Sequence, residues 1–232
     1  MKSTARLLPS GVVSIEKYAF RECPNLKTVY LPKTLKSIDE FAFYKCSSLS
    51  QIDLPYGLTS IGKCAFYQCP LKDVVIPYSV TSVGNSAFYQ CPLKSVVIQN
   101  GVTSIDAYAF LQCLFEKVVI PNSVTSIGDS AFWNCPALKE VILSNNLTCI
   151  ADATFAHCHS LNNVVIPNGV TSIGKDAFSN CMALNNISIP KSVTYIDETA
   201  FVNCDIALVM YVKRGSYAEE YAKEHNIAYI YN

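Results

Sequence analysis

A phenylalanine recurs at Phe20, Phe43, Phe66, Phe88, Phe110, Phe132, Phe155, Phe178 and Phe201, each 22 or 23 residues after the one before. Three residues beyond each stands a cysteine, at Cys23, Cys46, Cys69, Cys91, Cys113, Cys135, Cys158, Cys181 and Cys204. Five residues before each Phe stands Ile, with Val83 once. One residue before it stands Ala, with Thr154 the exception. A unit this short cannot enclose a core alone and must bury its apolar columns against its neighbours. The period therefore dictates a solenoid of about nine turns, whose stability adds along the stack.

Within one unit, Leu161 opens the pattern Leu-x-x-Val-x-Ile, so that strand alternation sends Val164 and Ile166 to one face and Val165 to the other. Pro167 has no N–H for a ladder and ends the strand, and Asn168-Gly169 supplies turn chemistry. Val170 to Ile173 is β-branched and fits a second brief strand. Gly174 to Cys181 has the length of about two turns of helix, and Asp or Gly at its head, as at Asp39, Asp106, Gly128 and Asp197, suits a turn or helix cap. Three units are one residue shorter between Cys and the next apolar anchor, as in Cys69-Pro70-Leu71, which places the variation in a loop. After Tyr211 the pattern stops. Ser216 and Glu219 form a capping box for a helix running to about His225, and 227–231 reads as a closing strand. The chain thus divides into a solenoid over 1–212 and a helix-strand cap over 213–232. At the other end only Leu7-Leu8-Pro9 echoes the strand, so the N-terminal side is expected to be uncapped.

The unit Leu-x-x-Val-x-Ile-Pro-x-Ser/Gly-Val-Thr-Ser-Ile-Gly-x-x-Ala-Phe-x-x-Cys closely resembles the BspA-like leucine-rich repeat of bacterial surface proteins and some parasitic protists. The resemblance covers about 7–212, and the tail 215–231 also resembles the end segment of such proteins. It implies an α/β fold, a right-handed leucine-rich-repeat horseshoe of 22–23-residue turns with a parallel β-sheet and short helices. For the better-known members it implies attachment to host matrix proteins or to other cells, hence a cell-surface or secreted location. The sequence departs from the usual leucine-rich repeat in lacking an asparagine ladder after the strand, and the Cys column is the candidate for a comparable packing role.

Several function classes are disfavoured by composition. Formal net charge is zero and no run or stripe of Lys and Arg occurs, so no nucleic-acid partner is expected. Every apolar run is broken well short of the ~18 residues a membrane span needs, so no membrane insertion is expected. The stretch Met1 to Arg6 lacks the apolar centre of a secretory signal peptide, leaving either an intracellular chain or a segment whose leader is missing.

Nine of the eleven cysteines fall in register with the core columns and none forms a Cys-x-x-Cys pair, so no zinc or other metal site is expected. Stacked strands lie about 4.8 Å apart, but parallel Cβ vectors keep the sulfurs from converging on disulfides. His157-Cys158-His159 is the nearest approach to a nucleophile cluster. The other turns place Glu22, Lys45, Gln68, Gln90, Gln112, Asn134, Asn180 and Asn203 at the His157 position, a solvated polar column. No catalytic residue and no cofactor is assigned, and an enzyme is not the expected class.

The outward strand positions are Tyr30, Asp53, Val75, Val97, Val119, Ile142, Val165, Ser188 and Tyr211, flanked by a mixed polar column that includes Lys117, Glu140 and Asn163. The middle five outward residues are apolar. Strand propensity alone accounts for such a strip, and so does a partner. Protein binding, with Tyr30, Asp53, Val75, Val97, Val119, Ile142, Val165, Ser188, Lys117 and Glu140 as the contact set, is the favoured function. The partner expected from the resemblance is a host matrix or cell-surface protein. The alternative is a structural or self-associating segment of a longer surface protein, with a homo-oligomer formed through the N-terminal end. The nine column cysteines should be free and protected: a thiol reagent should modify few of them in the native protein and nearly all after denaturation without reductant. Intact mass showing most of them in disulfides would overturn this.

Overall fold

The computed structural model describes residues 5–232, so the first four residues of the solenoid expected over 1–212 lie outside the described part. Ten successive turns each contribute a strand to one face, from Ala5–Leu7 and Thr28–Tyr30 through Lys117–Val119 to Val209–Val212. All pairings between them are parallel and in register, as in Lys117 opposite Glu140 and Val119 opposite Ile142. A second side carries two-residue strands, from Ser14–Ile15 to Tyr195–Ile196, built from the Thr-Ser-Ile segments. The long-strand ladder is interrupted between Gln51–Ile52 and Asp73–Ile76, where the first shortened loop, Cys69-Pro70-Leu71, enters the stack, and again between Ser95–Ile98 and Lys117–Val119.

The third side departs from the expected helix. Gly174 to Cys181 and its equivalents run through linked tight turns, with two non-glycine residues in the left-handed region in every turn but the last, which has only Asn203; Phe41 and Lys45, at φ 57° and 54°, are one such pair. The backbone bonding explains why. In one turn the N–H groups of Ala42, Tyr44 and Cys46 donate to carbonyls three residues earlier, while those of Phe41, Phe43 and Lys45 donate to Lys63, Ala65 and Tyr67 of the next turn, each at 2.8 Å. A helix would direct all of these donors along its own axis and leave none to join turns. The left-handed conformation costs about 1 kcal/mol per non-glycine residue, and an inter-turn hydrogen bond of comparable size offsets it.

Inside this shell the Phe column forms a continuous stack. Successive rings lie 5.2–5.6 Å apart and nearly parallel, from Phe20 against Phe43 to Phe178 against Phe201, an offset arrangement that aromatic pairs favour. Phe115 takes the place of a leucine and meets Phe110 and Phe132 edge-on at 6.2 Å. The exception in the alanine column is accommodated: Thr154 is fully buried and its hydroxyl donates to the Ala151 carbonyl at 2.8 Å. Ser144 stands where most turns have Pro, and its buried hydroxyl donates to the Val124 carbonyl at 2.6 Å.

After the last turn, Ser216 caps the helix Tyr217–Glu224 and the strand Ala228–Tyr231 pairs with Val209–Val212. The helix sets Tyr221 against Phe201 at 6.0 Å, over the end of the ring stack. Glu219 ties helix to strand. It accepts from the Lys223 ammonium at 2.5 Å, from the Gly215 N–H at 2.7 Å and from the Tyr231 hydroxyl at 2.9 Å. These donors, Lys223 foremost, hold its carboxyl down at about 2.

Two expectations follow. Phe110→Ala should cost about 3–5 kcal/mol in a denaturant titration, the usual range for a buried Phe, because its ring is fully enclosed; a loss below about 1 kcal/mol would show that the column is not core. Because the Glu219 carboxyl is held below the ordinary carboxylate range of about 4.3, its stabilisation is complete above that range and disappears as pH falls towards about 2. Hydrogen exchange at Ala228–Tyr231 should therefore be faster in Glu219→Gln than in the parent at neutral pH, with the difference vanishing towards pH 2. An undiminished difference there would refute the clasp.

Candidate partner-binding surface

Alternation in the long strands produces the expected division. Val74, Val96, Val118, Val141 and Val164 are buried, while Val75, Val97, Val119, Ile142 and Val165 are 45–61 % exposed. The five side chains are thus not covered by their neighbours and form an apolar strip, about 20 Å long at one strand spacing per turn. Direct opposition across paired strands holds Val75 to Val97 and Val119 to Ile142. Tyr30 and Asp53 continue the column as exposed residues at one end, and Ser188 continues it half-buried at the other.

The polar flank is exposed as well. Lys117 and Glu140 pair across adjacent strands at 2.8 Å, with both side chains about half exposed, a geometry that contributes under about 1 kcal/mol to stability. Asn163 follows in register with Glu140. Shallow hollows mark both ends of the strip. One of about 350 Å³ is bordered by Tyr30, Gln51, Asp53 and Asp73, at the first interruption of the ladder. Another, of about 270 Å³, is bordered by Glu140, Ile142, Asn163 and Val165.

The structure adds residues to the outward column that the sequence reading omitted. Leu7 pairs with Tyr30 and is 81 % exposed; Ile230 pairs with Tyr211 and is 52 % exposed. Leu7 was legible, since Leu7-Leu8-Pro9 aligns with Tyr30-Leu31-Pro32. Ile230 lies beyond the repeat and only strand pairing assigns its face.

The cysteine column serves the backbone. From Cys46 to Cys204 each column thiol donates to the Phe carbonyl of the preceding turn, as in Cys69 to Phe43 at 3.0 Å and Cys158 to Phe132 at 3.2 Å. This is a ladder of weak donors in place of asparagine amides. All eleven thiols are free. Burial pushes the Cys69, Cys91, Cys113, Cys135 and Cys181 thiols well up, and Cys204 to about 12, so the thiolate is suppressed at these six positions, whereas the hydrogen bond with Cys69 lowers the pKa of the Cys46 thiol. His157 packs on Trp133 at 5.1 Å and meets the exposed His159 edge-on at 5.8 Å, while Cys158 points its sulfur into this ladder at the Phe132 carbonyl and does not join the two rings. The same polar column is an amide ladder further up, where Gln68 donates to Gln90 and Gln90 to Gln112. Among the described residues, no group of three or more His, Cys, Asp or Glu is arranged to hold a metal ion, and no helix is long and apolar enough to cross a membrane.

A family model described as "BspA type Leucine rich repeat region" matches residues 4–94 and 81–208, with six copies of the repeat. Among solved structures the chain is similar to the leucine-rich repeat protein of T. pallidum, at 30 % identity over 79 % of each chain and a TM-score of 0.56. It is also similar to the pneumococcal vaccine antigen PcpA, at 15 % identity and a TM-score of 0.50, over 98 % of this chain and 89 % of that one, a likeness of fold. No curated protein sequence matches the chain.

Proposed function

Because this chain belongs to the family of BspA type leucine-rich repeat proteins, a class of non-catalytic solenoids that mediate protein–protein interaction, we propose that it is an adhesin-like module holding a protein partner along its long-strand face. The observation that carries this reading is the strip of five stacked, half-exposed apolar side chains, Val75 to Val165, beside a solvated polar flank. Water gives such a strip no reason to persist for five turns, and contiguous exposed apolar patches tend to mark interaction sites. In an interface the desolvated centre carries most of the energy and the rim less. Val97, Val119 and Ile142 are then the centre, Lys117, Glu140 and Asn163 the rim, and Tyr30, Asp53 and Ser188 the outer contacts.

The partner class in this reading is a host matrix or cell-surface protein, and the location is the cell surface or the exterior; both rest on the character of the family. Residues 213–232 act as the cap of the solenoid, since a terminal turn needs a covered end. A rigid ladder of turns suits recognition because little conformational entropy is lost when a partner docks.

The double variant Val97→Glu/Val119→Glu places two like charges about one strand spacing apart at the centre of the strip. Both positions are nearly half exposed, so the fold should survive. Binding of the parent and the variant to a panel of purified matrix proteins, read by biolayer interferometry, should show at least tenfold weaker association for the variant. A variant folded by circular dichroism that binds as the parent does would exclude this face.

A further inference from the structure

The long-strand face is not uniform in its pairing. Strands Gln51–Ile52 and Asp73–Ile76 belong to neighbouring turns, yet no ladder joins them. Further along, the N–H groups of Ser95, Glu140 and Asn186 donate back to the carbonyls of Lys72, Glu116 and Asn162 at 3.2–3.3 Å. Asp73 holds the equivalent position and, among the described residues, makes no such bond to Ser50. A hollow of about 330 Å³ opens over the break, lined by the buried Ile52 and Val74 and bordered by Asp53, Tyr56, Asp73 and Val75. Val75 also begins the exposed apolar strip, so hollow and strip form one continuous surface.

The residues around this hollow depart from their columns. Asp53 is the one charged residue of the outward column, which otherwise runs through Tyr30, Val75 and Val97 to Ser188 and Tyr211. After the residue that ends each strand stands Asn or Lys, from Lys33 through Asn122 and Asn168 to Lys191, except at Tyr56 and Tyr78. These two rings are 67 % and 59 % exposed and lie 6.3 Å apart. Asp53 and Asp73, both exposed, come from the two unpaired strands. Elsewhere on the same face the flanking charges are paired, Lys117 with Glu140 at 2.8 Å. Of the five ion pairs among the described residues, none includes Asp53 or Asp73. Lys72 borders the adjoining hollow of about 350 Å³ and is in none of these pairs either.

We propose that the hollow is a socket for an arginine side chain of the protein partner, an inference that rests on the long-strand face being the binding face. Carboxylates and aromatic rings both attract a cation, and here they border one space. A guanidinium suits it better than an ammonium, because its planar fork of donors serves two carboxylates at once and stacks on a ring. The arginine stem then lies over Val75 and the apolar lining, as long charged side chains do on apolar surface. Two carboxylates alone are too few ligands for a metal ion, and the described residues gather no third. Lys72, next to the socket, opposes an incoming cation and so limits its affinity.

The socket is tested by titrating N-acetyl-arginine amide into the nitrogen-15-labelled 1–232 chain and following amide shifts by NMR, with N-acetyl-citrulline amide as the uncharged isostere. Saturating shifts centred on Asp53, Tyr56 and Asp73 should appear with the arginine compound alone. Asp53→Asn/Asp73→Asn should raise the dissociation constant at least tenfold with circular dichroism unchanged, and Lys72→Gln should lower it. Val119→Asn/Ile142→Asn, which alters the strip without altering charge, should leave it unchanged. Absence of saturating shifts, equal shifts with citrulline, or an aspartate variant that titrates like the parent would overturn the socket. Against the panel of matrix proteins, the aspartate variant should also bind at least tenfold more weakly than the parent. Parent-like binding there, with binding lost in Val97→Glu/Val119→Glu, would overturn the socket and keep the strip. Parent-like binding by Val97→Glu/Val119→Glu would instead remove the long-strand face as the partner site, and the socket's role with it, even where the arginine titration succeeds.

Discussion

Everything in this molecule depends on the contact between one turn and the next. A turn of 22 or 23 residues encloses one Phe ring, one thiol, one alanine and a few aliphatic side chains, and none of these is shielded until another turn lies on each side. The stacked rings at 5.2–5.6 Å and the inter-turn backbone bonds express the same requirement. The apolar columns remove surface from water, and the ladders on three sides satisfy the polar groups that this removal would strand. No buried side-chain nitrogen or oxygen is left without a partner among the described residues, which is what a repeated solution to the same accounting problem should give.

The thiol column illustrates how a residue type follows from position. At the site facing the preceding Phe carbonyl, the stack needs a small apolar group with a donor. Cysteine supplies both, and at Cys69, Cys91, Cys113, Cys135, Cys181 and Cys204 burial raises the thiol pKa and so disfavours the nucleophilic thiolate. The cost of that weak donor is low because the carbonyl it meets already accepts from the backbone within its own turn, as Phe43 does from Cys46. A polar asparagine would make stronger bonds but would need both ends of its amide satisfied. The adjacent Gln68, Gln90 and Gln112 amides, near the surface, meet that condition by bonding to one another.

Function in such a scaffold falls to the residues that the stack does not use. The core columns are nearly invariant from turn to turn, while the outward column changes from Tyr30 and Asp53 through Val75, Val97, Val119, Ile142 and Val165 to Ser188. The long strands hold this series at a fixed spacing on one rigid face. The hollow bordered by Tyr30 and Asp53 lies at the break after Gln51–Ile52, so there an irregularity of the ladder and a feature available to a partner coincide.

The period, the inward columns, the free thiols in their register and the division of each strand into inward and outward residues were legible in the sequence, because each is a consequence of spacing. Val74 and Val75 differ in face only by parity, and parity is visible in one dimension. The helix with Ser216 and Glu219 was legible for the same reason, as a local signature. The side arm was not: an eight-residue segment of helical length became linked turns with left-handed residues, since the acceptors for Phe41, Phe43 and Lys45 lie one full turn away in sequence. Asn134, Asn180 and Asn203, tolerant of that conformation, were the only local trace of it. Exposure of the apolar strip, the place of Leu7 and Ile230 in the outward column and the thiol ladder were decided only by the tertiary structure. Each depends on which groups of neighbouring turns come within hydrogen-bond or van der Waals distance, and sequence periodicity fixes how often such groups meet without fixing the direction in which they bond.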